Sequence, residues 1–202
     1  IPKNIKKIGF QSFYGCEKLK KITFEKGSKL EYIDISAFEK CKLTSITIPK
    51  SVKIINNLAF RMNEIKELKF EENSILEYIG KGAFHFNNLS KKISFPNSLK
   101  VIDRFAFETY WKGHYKSLIQ IKEVDFKNNL NLIVHISAFY NQEINKSIKK
   151  IDSHDKTKIV KETNDFGIKV DRTVNYHSDT IKKYYSDYVD PDKLENFNKI
   201  DY

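Results

Sequence analysis

The sequence predicts an α/β-type solenoid dominated by β structure, with one short parallel strand per coil of about 23 residues and a helical C-terminal cap. Three observations predict it. An aliphatic residue stands five positions before a phenylalanine six times: Ile8 and Phe13, Ile33 and Phe38, Ile55 and Phe60, Ile79 and Phe84, Ile102 and Phe107, Val134 and Phe139. Those phenylalanines are separated by 25, 22, 24, 23 and 32 residues, a nearly constant unit with one enlarged interval, which is solenoid periodicity. Each is followed by a run that alternates apolar and polar residues, the pattern of a strand with one buried face.

Within a unit the order is regular. A small residue precedes the phenylalanine (Ser12, Ala37, Ala59, Ala83, Ala106, Ala138), and Cys16, Cys41, Asn63 or Asn87 follows three places after it. That column calls for a small group whose polarity meets backbone in a turn. Leu19, Leu43, Ile65 or Leu89 comes next, and then the expected strands: Ile22-Thr-Phe24, Ile46-Thr-Ile48, Leu68-Lys-Phe70, Ile93-Ser-Phe95 and Val124-Asp-Phe126. Ile22, Ile46, Leu68, Ile93 and Val124 are expected to stack in one parallel sheet, with Phe13, Phe38, Phe60, Phe84 and Phe107 as a second buried column. The links alternate in kind. Pro-Lys-Ser-Val-Lys-Ile-Ile (49–55) and Pro-Asn-Ser-Leu-Lys-Val-Ile (96–102) interleave with Gly-Ser-Lys-Leu-Glu-Tyr-Ile (27–33) and Asn-Ser-Ile-Leu-Glu-Tyr-Ile (73–79), so a period of 46 to 47 overlies the short one.

The composite Ile-Pro-x-Ser-Val-x-x-Ile-x-x-x-Ala-Phe-x-x-Cys-x-Leu-x-x-Ile-x-Ile resembles the BspA-type (Treponema pallidum-type) leucine-rich repeat. The resemblance covers residues 1–139 as about six units, with an insertion near 108–118, and implies a right-handed superhelix. It leaves 140–202 as an irregular terminal repeat and cap. Thr173 to Tyr184 is similar to the closing segment of many such proteins, a last strand followed by a Ser-initiated helix. Here Ser178 or Asp179 is suited to cap a helix carrying Ile181, Tyr184, Tyr185 and Tyr188 on one face, stopped by Asp190-Pro191. Leu194, Phe197 and Ile200 repeat the pattern. Lys158–Val160 and Ile168–Val170 read as two short strands.

Composition excludes several classes. At 40% hydrophobic and 13% aromatic residues the 202-residue chain is too apolar to be disordered. No apolar run approaches the length of a membrane span, and Ile-Pro-Lys-Asn-Ile at the start is neither an initiator nor a signal peptide, which suggests part of a longer or processed chain. The net charge of +10 does not require a nucleic acid. Lysine outnumbers arginine 33 to 3 where base-edge readout favours arginine, and the joint abundance of Lys, Ile and Asn reflects an AT-rich genome. The excess sits in residues 1–139, whereas 140–202 are neutral.

No catalytic or cofactor pattern emerges, and the chain is read as not an enzyme, with no cofactor and no metal. The five histidines fall in different units without a zinc spacing. The seven glycines form no phosphate loop and no serine sits in a nucleophile elbow. Glu71-Glu72 reads as a solvated turn. Cys16 and Cys41 read as buried thiols, a ladder disulfide requiring unusual side-chain directions.

What remains is a surface. Between the core residues of the expected strands lie Lys21, Thr23, Ser45, Thr47, Glu67, Lys69, Lys92, Ser94, Glu123 and Asp125, a ladder of both signs that suits a protein partner better than a polyanion. The insertion adds Tyr110, Trp111 and Tyr115, the composition of an interface hot spot. Each feature also has a plain structural reading, a solvated sheet face and a loop folded back on the solenoid. The expectation is a monomeric protein-binding module with no specific nucleic acid and no membrane insertion in this segment. The family resemblance implies a cell-surface or secreted protein in adhesion to a host matrix protein or another cell. Two alternatives stand beside it: an intracellular scaffold, and a polyanion binder using Lys20, Lys21, Lys66, Lys69, Lys91 and Lys92.

Overall fold

The computed structural model describes residues 1–109, 121, 123–127, 129, 132–135 and 137–139, together with the backbone of 158–163 and 169–174. The chain divides into two units, residues 1–154 and 155–202. Unit one is a parallel β-solenoid. Its strands are β1 (Lys7–Ile8), β2 (Tyr32–Ile33), β3 (Ser45–Ile48), β4 (Ile54–Ile55), β5 (Glu67–Phe70), β6 (Tyr78–Ile79), β7 (Ile93–Ser94), β8 (Val101–Ile102), β9 (Val124–Asp125) and β10 (Ile133–Val134). In unit two, β11 (Lys158–Thr163) and β12 (Lys169–Val174) pair antiparallel, Lys158 opposite Val174. The two strands expected there are present and longer. No helix occurs among the described residues, and the helices expected from Ser178 onward lie outside them, as does the expected change of character at 140.

The continuous sheet is not the one the alternation suggested. It has six strands in the order β1-β2-β4-β6-β8-β10 and runs through Ile8, Ile33, Ile55, Ile79, Ile102 and Val134, which occupy one register. Most coils thus carry two strands, not one. The expected sheet is broken into two pairs, β3 with β5 and β7 with β9, and residues 22–24 form no strand. Ile46, Leu68 and Ile93 are buried as expected, whereas Ile22 and Val124 are only half-buried.

Spacing to the phenylalanine separates the two runs. The aliphatic-to-phenylalanine spacing is five in every coil, so that strand always meets its neighbour in register. The spacing from phenylalanine to the second strand is 9 at Ile22, 8 at Ile46 and Leu68, and 9 at Ile93. β3 and β5 share a spacing of 8 and pair over four residues, whereas β7 pairs with β9 although Val124 stands 17 residues after Phe107.

The core is columnar. Phe13, Phe38, Phe60, Phe84, Phe107 and Phe139 stack nearly parallel, their centroids 4.9, 5.3, 5.2, 5.3 and 4.9 Å apart in turn. All are buried except Phe13, which is half-buried at the first coil. The phenylalanine amides of the first five coils donate to Ala37, Ala59, Ala83, Ala106 and Ala138 of the next coil at 2.8 Å. A small residue stands at that position in every coil, alanine in five and Ser12 in the first. The residue two before each of these phenylalanines is left-handed: Gln11, Ser36, Leu58, Gly82 and Phe105 have φ between 52 and 59°.

Candidate interaction surface

The outward ladder expected from sequence is exposed in large part, but most of its charges are paired. Ser45, Thr47, Lys69, Lys92, Ser94 and Glu123 are exposed, as are Lys21 and Thr23 beyond the paired strands, while Glu67 and Asp125 are half-buried. Register sets Ser45 opposite Glu67 and Thr47 opposite Lys69. Glu67 then holds Lys91 at 3.0 Å and Lys69 at 3.3 Å, and these two cations keep its carboxyl below the usual range. Lys92 reaches Glu123 at 2.7 Å and Asp125 at 3.9 Å, and the bond to Glu123 pushes its ammonium up. Tyr110, Trp111 and Tyr115 lie outside the described residues, so the structure brings together the strand members of the expected site and not its aromatic ones.

A second outward face was missed in the sequence. Because adjacent strand residues point to opposite sides, the partners of the core column in the six-stranded sheet are Lys7, Tyr32, Ile54, Tyr78, Val101 and Ile133, aligned in register. Tyr32 is 39% exposed, whereas Ile54, Tyr78 and Val101 are buried without belonging to the main core. The Tyr78 hydroxyl donates to Asp103 at 2.7 Å. Beside this stripe runs Lys6, Glu31, Lys53, Glu77, Lys100, with Lys53 on Glu31 at 2.7 Å and Lys100 on Glu77 at 2.9 Å. The Lys53 bond lowers Glu31 and raises Lys53 from their ordinary values. The 46-to-47-residue period of the links is therefore an alternation of charge and of tyrosine with aliphatic along one face. That signal was legible in the links Lys-Ile-Ile and Glu-Tyr-Ile.

The Cys/Asn column behaves as its composition required. Asn63 accepts from the Leu43 amide at 3.0 Å and donates to Phe38 and Phe60 carbonyls at 2.8 and 3.1 Å. Asn87 repeats this with Ile65, Phe60 and Phe84. Cys41 is buried, its thiol donating to the Phe13 carbonyl at 3.1 Å, and burial pushes it up to about 11. Cys16, expected to be buried too, is exposed at the open first coil, and both thiols are free. Of the described histidines, His85 lies 3.0 Å from Glu108 and His135 bonds Ser137 at 2.8 Å. Among the described residues no group of three or more His, Cys, Asp or Glu side chains is placed to hold a metal ion, and no helix is long and apolar enough to cross a membrane.

Comparison with known proteins agrees with this architecture. No curated protein matches the chain. The crystal structure of the pneumococcal vaccine antigen PcpA is similar, with 34% identity and a TM-score of 0.55 over 64% of this chain. The match spans 30% of that antigen's chain. The family model of the BspA type leucine-rich repeat region matches residues 1–112 in six copies. With the stacked phenylalanines and the in-register sheet, that match establishes that the chain belongs to the BspA-type leucine-rich repeat family.

Proposed function

We propose that this chain is a non-enzymatic protein-recognition module, displayed at a cell surface or secreted, that acts in adhesion to a matrix protein or to another cell. The observation that carries the reading is the exposed tyrosine and paired charges along the six-stranded sheet. Tyr32, 39% exposed, stands there beside the Lys53–Glu31 and Lys100–Glu77 ion pairs, while its sheet neighbours Ile54, Tyr78 and Val101 are buried. Amphipathic tyrosine flanked by balanced charge suits a protein surface. The likeness to a vaccine antigen fits a chain standing where antibodies reach it. Ion pairing of Lys69, Lys91 and Lys92 weighs against the polyanion reading, since paired lysines release fewer counterions to a nucleic acid or heparin.

The test is surface binding of the immobilised chain to fibronectin, fibrinogen and heparin, with Tyr32→Ala, Trp111→Ala and the double variant Lys69→Ala/Lys92→Ala. Protein recognition predicts binding to a matrix protein that Tyr32→Ala or Trp111→Ala weakens by at least about five-fold, with modest salt dependence. Tight heparin binding at physiological salt, indifferent to both aromatic variants, would overturn it.

A further inference from the structure

The two flanks of the solenoid are bonded differently. The six-stranded sheet crosses every coil boundary, whereas on the other flank the coils are joined two at a time, β3 with β5 and β7 with β9. Among the described residues no ladder joins residues 22–24 to β3, or β5 to β7.

Proline stands where the breaks fall. The bond that closes a ladder on this flank comes from the residue just after the expected strand: the Glu71 amide donates to the Ile48 carbonyl at 3.0 Å and the Glu25 amide to the Ile1 carbonyl at 3.1 Å. The carboxylates of the same two residues accept from the Lys50 and Lys3 amides, each at 2.9 Å. The equivalent positions in the coils beyond the two breaks are Pro49 and Pro96. A proline has neither the N–H nor the carboxylate, so it ends the ladder toward the preceding coil.

What spans the break between β5 and β7 is weak in kind. The Ser90 amide meets the Lys66 carbonyl at 3.4 Å, where the Lys66 amide meets Thr44 at 2.9 Å. Lys91 holds Glu67 at 3.0 Å as an exposed ion pair. Half-buried Phe70 lies tilted by 39° on Phe95 at 5.9 Å, whereas within the next pair Phe126 stacks on Phe95 at 16° and 5.3 Å. Leu68 and Ile93 are buried on either side, but apolar contact has no direction and tolerates rotation. The opposite flank of the same boundary is held by the Gly80 amide on Ile55 and the Phe60 amide on Ala83, both at 2.8 Å. A boundary bonded along one flank and loose along the other bends about the bonded one.

We propose that the boundaries headed by Pro49 and Pro96 are hinges, at which the array changes curvature by opening on the flank of the β3–β5 and β7–β9 pairs while the six-stranded sheet stays whole. The face bearing Thr47, Lys69 and Ser94 then adjusts its spacing in blocks of two coils. The inference stands apart from the adhesion reading.

Nitroxide labels test it, placed on the exposed positions of this face in a Cys16→Ser background. Thr47→Cys/Lys69→Cys spans a paired boundary and Lys69→Cys/Ser94→Cys spans a hinge. The second pair should show a distance distribution at least about two-fold wider than the first, as expected of a hinge beside a packed block. Pro96→Ala, which restores the N–H, should narrow it to the width of the first, and the new amide at position 96 should exchange at least about ten-fold more slowly than in an unstructured peptide. The Gly80 and Phe60 amides report that the stack is intact in both proteins. Equal widths for the two label pairs in the parent would overturn the proposal without recourse to any proline variant. An unprotected amide at position 96, or a width unchanged by Pro96→Ala, would overturn the part assigned to proline.

Discussion

The side-chain amide of Asn63 reaches back one coil to donate to the carbonyl of Phe38 at 2.8 Å, while its oxygen accepts from the Leu43 amide at 3.0 Å. Asparagine serves because it carries both donor and acceptor. Cys41 holds the same position one coil earlier and needs only a donor. The coil facing it has an extra residue between Cys16 and Leu19, and the Leu19 amide turns back to the Cys16 carbonyl at 2.9 Å.

Asn63→Ala should therefore destabilise by at least about 2 kcal/mol, as a buried donor and acceptor lose their partner together. Cys41→Asn should also destabilise, by about 1–3 kcal/mol, because its oxygen would face an amide already bonded. Equilibrium denaturation reads both, and a Cys41→Asn protein as stable as the parent would refute the account of the column.

Phe60 is fully buried and stacked on both faces, 5.3 Å from Phe38 and 5.2 Å from Phe84. Phe60→Ala should cost roughly 3–5 kcal/mol through lost burial and a cavity. A melting midpoint within a degree or two of the parent would show that the column does not bear the core.

Gly80 and Gly9 share a repeat position with opposite tolerance. A Cβ on Gly80 would come 2.6 Å from the Asn57 backbone nitrogen and 2.7 Å from the Asn56 carbonyl carbon, whereas one on Gly9 meets only the Ser12 hydroxyl at 3.4 Å. Gly80→Ala should cost roughly 2–3 kcal/mol as backbone is forced apart, and Gly9→Ala should stay within about 0.5 kcal/mol. Paired denaturant titrations decide it, and equal losses would contradict the close approach.

The inter-coil ion pairs set a pH window. Glu31 and Glu67 are held below their ordinary value of 4.5, so their contribution is present above it and fades as pH falls through the lowered values. Lys53 and Lys92 are held above 10.5, so theirs is complete below that value and is lost as pH rises through the raised ones. Thermal midpoints should be flat between the two and fall on either side, and molar salt should flatten both limbs because these pairs are exposed. Identical profiles for the parent and a Glu31→Gln/Lys53→Met variant would refute the contribution of that pair.

The phenylalanine column was legible because its five-residue offset from an aliphatic residue is invariant, and the polar column because Cys and Asn are both small and both donate to a backbone carbonyl. Which apolar run forms the continuous sheet was misjudged for a physical reason. Ile46-Thr-Ile48 looks more like a strand than Tyr32-Ile33, yet the unbroken sheet runs where the distance to the phenylalanine is constant, not where local alternation is strongest. The constant five-residue spacing already held that answer. The ion pairs of Glu67 and Lys92 were not readable, because they join residues 24 and 31 positions apart whose side chains meet only once the coils stack.

The left-handed positions before the phenylalanines carry a last consequence. Leu58 at φ 58° and Phe105 at φ 56° hold a conformation that favours glycine, at a cost of about 1–3 kcal/mol each. Leu58 and Phe105 are held there by amide bonds to Lys81 and Ser137 of the following coil. A coil detached from its successor loses the bond that compels the conformation and relaxes to an ordinary one. Unfolding from an exposed end should then proceed in whole-coil steps, each releasing its neighbour, so that mechanical extension of the array would show a ladder of discrete lengths rather than a gradual fraying.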